Sequence, residues 1–217
     1  MATQGALSES DRRSQILYDR RARTNDLQLR VAALLQGVWE PSERRKFVSQ
    51  LELTPGLRVL EVAVGTGSNL TLIGDEVGPK GRVTGLDLSR AMLRQGGRKF
   101  RRLRQNAALI QGEASQLPVA DNTFDVVLHF GGFKNFGNQK RALEEMIRVA
   151  RRGAKIVISE KCVPPDKRYS VRGWLLLRLD PLLADPPPLD LIPSTVNNLH
   201  SSWFWRKTAY MISFTKP

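Results

Sequence analysis

Leu57-Arg58-Val59-Leu60-Glu61-Val62-Ala63-Val64, then Gly65-Thr66-Gly67-Ser68-Asn69-Leu70, then Val83-Thr84-Gly85-Leu86-Asp87-Leu88-Ser89 form one unit in three pieces. The first piece is a short apolar run rich in β-branched residues, the pattern of a strand covered on both faces in a parallel sheet. It breaks at Gly65 and Gly67, where missing side chains permit positive φ and let the backbone approach a ligand. Apolar residues resume at Leu70, Leu72 and Ile73, as a helix packing back onto the sheet requires. A second strand then ends in Asp87, twenty-two residues after Gly65. In such a unit the acid can accept both hydroxyls of a ribose, and the helix N-terminus offers free N–H groups to an anion. A dinucleotide-binding turn carries a third glycine three residues after the second. That position is Leu70 counted from Gly65 and Gly67, and Ser68 counted from Ala63 and Gly65. Neither is glycine, which speaks against a dinucleotide.

On the N-terminal side, residues 1–13 read as a disordered polar lead. Between Ser14 and Gln36 the spacing of Ile16, Leu17, Leu27, Leu29, Val31, Leu34 and Leu35 predicts helices broken around Thr24-Asn25-Asp26. Pro41-Ser42-Glu43 opens another helix, with proline in the first turn and an acid at the positive end of the dipole. It turns Phe47, Val48 and Leu51 inward and stops at Leu53-Thr54-Pro55-Gly56. Residues 1–53 are thus expected to form a helical cap on the same domain as residues 54–217. The cap either closes one side of a site or merely packs, and the lid is the preferred reading.

On the C-terminal side, Gly78-Pro79-Lys80-Gly81 turns into the second strand and a helix follows over Ser89–Gln105. Ala108–Gln111 reads as a third strand and Asn122–Phe130 as a fourth, with a polar loop at 112–118 between them. Residues 138–151 form an amphipathic helix carrying Ala142, Leu143, Met146, Ile147 and Val149 inward. A turn at Arg152-Gly153 leads into a fifth strand, Lys155–Glu160. This alternation predicts a parallel sheet with right-handed crossovers. Past Pro164-Pro165 the alternation fails: a short helix over Trp174–Leu179, irregular chain around Pro186-Pro187-Pro188, and two closing strands that turn near Arg206-Lys207. The tryptophan-rich end is read as core or edge packing in preference to a substrate cage.

Composition narrows the classes. The 217 residues suit one domain with a sizeable core. A single cysteine, Cys162, excludes an internal disulfide and a cysteine-based metal cluster. No apolar run is long enough to span a bilayer and no signal-like start is seen, so the expectation is a cytoplasmic protein. The net charge of +13 arises from 34 basic against 21 acidic residues. Its densest cluster is Arg90, Arg94, Arg98, Lys99, Arg101, Arg102 and Arg104, with 90, 94, 98 and 101 on one helix face. Three readings stay open, in descending order: a solvated face, a patch for anionic lipid or an acidic partner, and nucleic acid. Oligomeric state is not legible.

The pattern Glu61-x-Ala63-x-Gly65-Thr66-Gly67 with Gly85-Leu86-Asp87-Leu88-Ser89 resembles the class I S-adenosylmethionine-dependent methyltransferases. From Val59 to Glu160 the chain is similar to that family throughout, and most similar to its ubiquinone/menaquinone-biosynthesis branch. Three further stretches carry the likeness: Gly112-Glu113-Ala114 ahead of Leu117-Pro118 and Asn122-Thr123-Phe124-Asp125; Gly132-Phe133-Lys134-Asn135; and Ala142–Val149. Ala63 stands for the commoner glycine, Glu113 for the usual aspartate, and Arg151-Arg152-Gly153 for proline-glycine-glycine. The chain after Val163 matches poorly.

The resemblance implies a Rossmann-like α/β fold, a seven-stranded mostly parallel sheet with its last strand antiparallel and helices on both faces. It implies S-adenosyl-L-methionine as cofactor. Glu61, Ala63, Gly65 and Gly67 would then form the cradle under its methionine part, with Asn69 also among the cofactor-binding residues. Asp87 would take the ribose, Leu88 and Met92 the adenine, Glu113 and Ala114 the adenine's polar edge, and Tyr18 would reach in from the cap. The acceptor would be a small or lipid-like molecule, methylated on carbon, oxygen or nitrogen. A non-catalytic partner of the same fold and an RNA methyltransferase are the alternatives.

Methyl transfer from a sulfonium is a direct displacement, so the protein mainly orients the reactants. His129, at the end of the fourth strand, is the candidate base for an acceptor that must lose a proton, and it is also the candidate for a histidine that only shapes the pocket or touches cofactor. Glu160 is the other positional candidate, read first as a structural acceptor, and Lys134 and Asn135 either orient an acceptor oxygen or turn the loop. Two histidines without paired acids make a catalytic metal improbable.

Overall fold

The computed structural model describes residues 7–35, 37–100 and 107–217. Three helices come first: α1 (Glu9–Arg21), α2 (Asn25–Leu35) and α3 (Glu40–Ser49). The disordered lead expected over residues 1–13 does not hold from Ser8 onward, where α1 is capped and begins, and residues 1–6 lie outside the described residues. Ser8 caps α1 by accepting from the Asp11 N–H, and the Asp11 carboxylate in turn accepts from Gly137 N at 2.9 Å. That long-range bond orders a polar stretch with no apolar signal of its own.

The sheet follows: β1 (Arg58–Val62), α4 (Ser68–Val77), β2 (Arg82–Asp87), α5 (Arg90–Phe100), β3 (Ala107–Gln111), β4 (Phe124–Phe130), α6 (Gln139–Val149) and β5 (Ala150–Lys161). Then come α7 (Val171–Leu179), β6 (Asn197–Phe204) and β7 (Ala209–Thr215). Strand order is β3-β2-β1-β4-β5-β7-β6, with β7 antiparallel to both of its neighbours. The expected seven-stranded Rossmann-like sheet, its antiparallel last strand and its closing pair are all present. One detail differs. In place of a turn at Arg152-Gly153, β5 begins at Ala150, pairs with Phe124, and shifts register before Lys155, with Gly153 at φ 74°. The glycine absorbs the extra residues as an irregularity within a strand.

Alternation assigns each buried strand two faces. Leu60, Val62, Val127, Ile156 and Ile158 pack with Leu143, Met146 and Val149 of α6. Val59, Val126, Leu128 and Val157 pack with Leu70, Ile73 and Val77 of α4 and Phe47 of α3. Leu70 and Ile73 are fully buried, each contributing about 1.5–3 kcal/mol of transfer free energy. Gly85 allows α4 to lie this close, since a Cβ there would sit 2.8 Å from Leu70 Cδ1 and 2.9 Å from Val64 Cγ2. Among the described residues no helix is long and apolar enough to cross a membrane.

Candidate active site

The strand order reverses between β1 and β4, and ligands in open α/β sheets bind at such a switch point, beyond the carboxyl ends of the strands. A cavity of about 330 Å³ lies there. Its floor comes from the ends of β1, β2, β4 and β5 through Glu61, Asp87, Phe130 and Glu160, and its cover from Gln15, Tyr18, Leu29 and Arg44 of the three N-terminal helices. Leu182, Leu183 and Trp205 from the C-terminal region close the remaining side.

After β1 the backbone turns through left-handed residues, with Ala63 at φ 55°, Gly65 at 56° and Gly67 at 70°. A Cβ at Gly65 would meet nothing within 4 Å, so this glycine serves the turn and leaves space open. Gly67 begins α4 without any side-chain cap, and α4 therefore starts with backbone donors that no capping side chain satisfies. Asp87 closes the loop from the other side: its Oδ2 accepts from Gly65 N at 2.7 Å and its Oδ1 from Ser89 N at 2.8 Å. Burial raises the Asp87 carboxyl to about 6, against the pull of those two N–H donors.

Glu61, on β1, is 2 % exposed. Its Oε1 accepts from Asn69 Nδ2 at 2.5 Å and its Oε2 has no partner. Burial lifts this acid to about 7, although Asn69 and Arg44 oppose the shift. A buried carboxylate with one bare oxygen, a second one at the end of β2, an unfilled glycine turn and an open helix terminus make a donor and acceptor set that fits a nucleoside with a diol and an ammonium group.

The cap is bonded into this loop. Arg44 Nη1 donates to Asn69 Oδ1 at 2.6 Å and its Nε to Glu40 Oε1 at 2.6 Å, while its guanidinium lies 5.0 Å from the Phe130 ring centre. Asp26, near the start of α2, accepts from Lys99 Nζ at 2.7 Å and from Thr66 Oγ1; these bonds hold it below the usual carboxylate range although burial opposes them. Asp19 caps α5 by accepting from Ser89 Oγ at 2.5 Å and Ala91 N at 3.0 Å. Gln15 Nε2 donates to Leu88 O, and Tyr18 OH accepts from Asn135 Nδ2.

Of the residues singled out from sequence, Tyr18, Glu61, Ala63, Gly65, Asn69, Asp87, Leu88 and Met92 all line the cavity. Glu113 and Ala114 do not: Glu113 accepts from Ser115 Oγ, and Ala114 packs against the α6-side core. His129 is wholly buried behind the wall, its ring 5.0 Å from that of Phe136 and 5.7 Å from that of Phe133. Because a carbonyl only accepts, the 2.9 Å contact with Val62 O places the proton on Nδ1 and leaves Nε2 bare and without a partner. Burial holds the imidazole neutral by lowering its basicity. Glu160 is occupied by Gly132 N and Lys161 N, and Lys134 by the carbonyls of Lys161 and Leu182.

Sequence reasoning missed Arg44, Gln15, Asp19 and Lys161. Lys161 lines the cavity with its Nζ 5.1 Å from the Trp205 ring centre, and burial lowers its basicity. No motif announces any of them. The cluster Arg90, Arg94 and Arg98 is exposed, while Arg101, Arg102 and Arg104 lie outside the described residues. Among the described residues no group of three or more acids, histidines or cysteines is placed to hold a metal.

Comparison with known proteins adds independent support. Residues 59–153 match the family model of a methyltransferase domain. A demethylmenaquinone methyltransferase of Anoxybacillus flavithermus is 38 % identical over 122 residues, 56 % of this chain and 52 % of that protein. The chain spans about half the length of the curated relatives it matches. The fold agrees with a SAM-dependent methyltransferase from Aquifex aeolicus at a TM-score of 0.62 and 22 % identity, covering 80 % of this chain and 89 % of that one. It also agrees with a geranyl diphosphate C-methyltransferase from Streptomyces coelicolor A3(2), at 0.65 and 12 %, covering 82 % and 80 %.

Proposed function

We propose that this chain is a class I S-adenosylmethionine-dependent methyltransferase and transfers a methyl group from that cofactor to a small or lipid-like acceptor, a reading supported by the matched methyltransferase-domain model and the similar relatives. The observation that carries the reading is the pair of buried acids on the cavity, Asp87 bonded to the glycine turn and Glu61 with one bare oxygen. Asp87 would hold the ribose hydroxyls, Glu61 and the turn at Ala63, Gly65 and Gly67 the amino-acid end, and Leu88 and Met92 the adenine face. The cofactor supplies an electrophilic methyl group on a sulfonium.

What this chain's own residues contribute is orientation and exclusion of water. The helical cap acts as a lid through Arg44, Asp26 and Asp19, each of which bonds an element that carries the cofactor loop. His129 works as a positioning residue, because its bonded nitrogen fixes the end of β1 and its bare nitrogen faces no solvent. Glu113 and Ala114 keep their proposed place at the adenine's polar edge on the strength of the resemblance alone. A cytoplasmic setting stays part of the proposal, as does peripheral contact with an anionic membrane.

The relatives named demethylmenaquinone methyltransferase make a quinol the first acceptor to try. Calorimetry with S-adenosylmethionine, followed by tritium transfer from labelled cofactor to a quinol and lipid extract, tests the reading. Saturable binding with labelled product supports it; absence of cofactor binding ends it. Binding without turnover across a broad acceptor panel would instead favour a non-catalytic member of the fold.

A further inference from the structure

Two helices beside the cavity expose apolar stripes. On α7, Val171, Trp174, Leu175 and Leu179 share one face at helical spacing and are 86 %, 58 %, 50 % and 74 % exposed. Arg178 lies on the same face with its guanidinium 5.7 Å from the Trp174 ring centre. On α2, Leu27, Val31 and Leu34 repeat the pattern, at 65 %, 46 % and 56 %.

The turn that closes the cavity touches the buried side of α2 and the segment that leads into α7. Trp205 packs against Ala33 of α2 and Val38 just beyond it, and the carbonyl of Arg206 accepts from Lys167 Nζ, four residues before α7. Leu29 of α2 and Leu182, just after α7, both line the cavity, and Leu182 is itself 44 % exposed. Leu29 lies on the face of α2 opposite its exposed stripe, so the apolar face that borders the cavity is that of α7, next to Leu182. Exposed around the two stripes are Arg30, Arg172, Arg206 and Lys207, and also Asp166, Asp180, Asp185 and Asp190, within a chain of net charge +13.

We propose that α7 seats the protein on an anionic bilayer and sets the Leu182 side of the cavity against the lipid surface. Apolar and aromatic side chains bordered by arginines and lysines are what an interfacial helix presents: the rings and aliphatic groups enter the headgroup boundary while the cations meet anionic lipid. Arg178 over Trp174 places a cation beside an inserting ring, so its stem can cover apolar surface with the charge in the headgroup layer. Charge complementarity selects the occupant. A second copy of this chain would bring the same positive charge to the interface, whereas an anionic membrane neutralises it. The inference rests on the lipid-like acceptor proposed above: an acceptor dissolved in the bilayer reaches the cavity without crossing water.

The test is flotation of the full chain with vesicles of phosphatidylcholine alone and of phosphatidylcholine mixed with phosphatidylglycerol. The variants are Trp174→Glu/Leu175→Glu and, independently, Val171→Glu/Leu179→Asp, so a folding failure in one pair leaves the other informative; all four side chains are half or more exposed. The expected result is binding to anionic vesicles, at least tenfold weaker in either variant and weakened by salt, with S-adenosylmethionine affinity unchanged by calorimetry. Equal binding to neutral vesicles, no binding by the parent, or equal binding by parent and variants overturns it. So does a dimer that the variants dissociate, or retention of RNA in preference to vesicles. Because cofactor affinity is read separately, vesicle binding without cofactor binding refutes the proposed function and leaves the membrane face standing; the converse spares the function and refutes this surface.

Discussion

Arg44 and Asn69 are bonded across twenty-five residues, guanidinium to side-chain amide at 2.6 Å, so the cap helix α3 and the first turn of α4 are one polar assembly. Asn69 passes the contact on to Glu61, and Arg44 also holds Glu40. Both ends of the Arg44–Glu40 pair are buried, at 8 % and 7 % exposure.

Arg44→Met removes one partner of that buried pair and leaves the other without its donor, a change that costs about 3–5 kcal/mol in comparable pairs. Urea denaturation should show a loss of this order, together with weaker cofactor binding. The double variant Glu40→Gln/Arg44→Met should recover most of the stability, since no uncompensated charge remains, but not the affinity. Full recovery of both would place the cap outside the site.

Glu61 makes stability pH-dependent with a definite sign. Burial raises it from 4.5 to about 7, so between those values the unfolded chain has released a proton that the folded chain still holds. Folded stability then falls as pH rises through that window and levels off above it. Glu61→Gln abolishes the loss: near pH 4 parent and variant should be alike, and at pH 8 the variant should be the more stable by up to about 3 kcal/mol. Denaturation at both pH values reads this out. Cofactor affinity should move the other way, at least tenfold weaker in the variant, because the bare oxygen is proposed to hold the ligand.

Gly85→Ala overpacks the junction of β2 and α4, where a Cβ would lie within 3 Å of Leu70 and Val64. Overpacking of this kind costs about 1–3 kcal/mol. Thermal melting should register it, and α4 moving off the sheet should also weaken cofactor binding. A neutral outcome would mean that α4 shifts freely, against the buried contacts of Leu70 and Ile73.

The part of the molecule that was legible is the part governed by local rules. β1, the glycine turn, α4 and β2 follow from apolar alternation, φ demands and the spaced acid, and all four sit where that pattern places them. The start of α1 was not legible, because Glu9 to Arg13 is polar and is held by Asp11 reaching Gly137, a contact between distant segments. Arg44 was hidden for the same reason, since nothing local marks an arginine as buried. His129 shows the limit from the other side: strand position brings it to the end of β4, but only packing reveals Phe133 and Phe136 around its ring. Leu182 and Trp205, which close one side of the cavity, come from the region past Val163, where strand–helix alternation ends and with it the sequence signal.

Asp87 joins the glycine turn to the end of β2 and faces the cavity, so the central claim can be measured there. Titrating S-adenosylmethionine into the parent and into Asp87→Ala by calorimetry should show affinity falling on the order of a hundredfold, the loss of two hydroxyl bonds to a charged acceptor. In the parent, affinity should rise with pH through about 6, where the carboxyl ionises, and the alanine variant should lose that rise. An alanine variant that binds the cofactor as tightly as the parent, with the same pH profile, would contradict the assignment of this cavity to a sulfonium nucleoside.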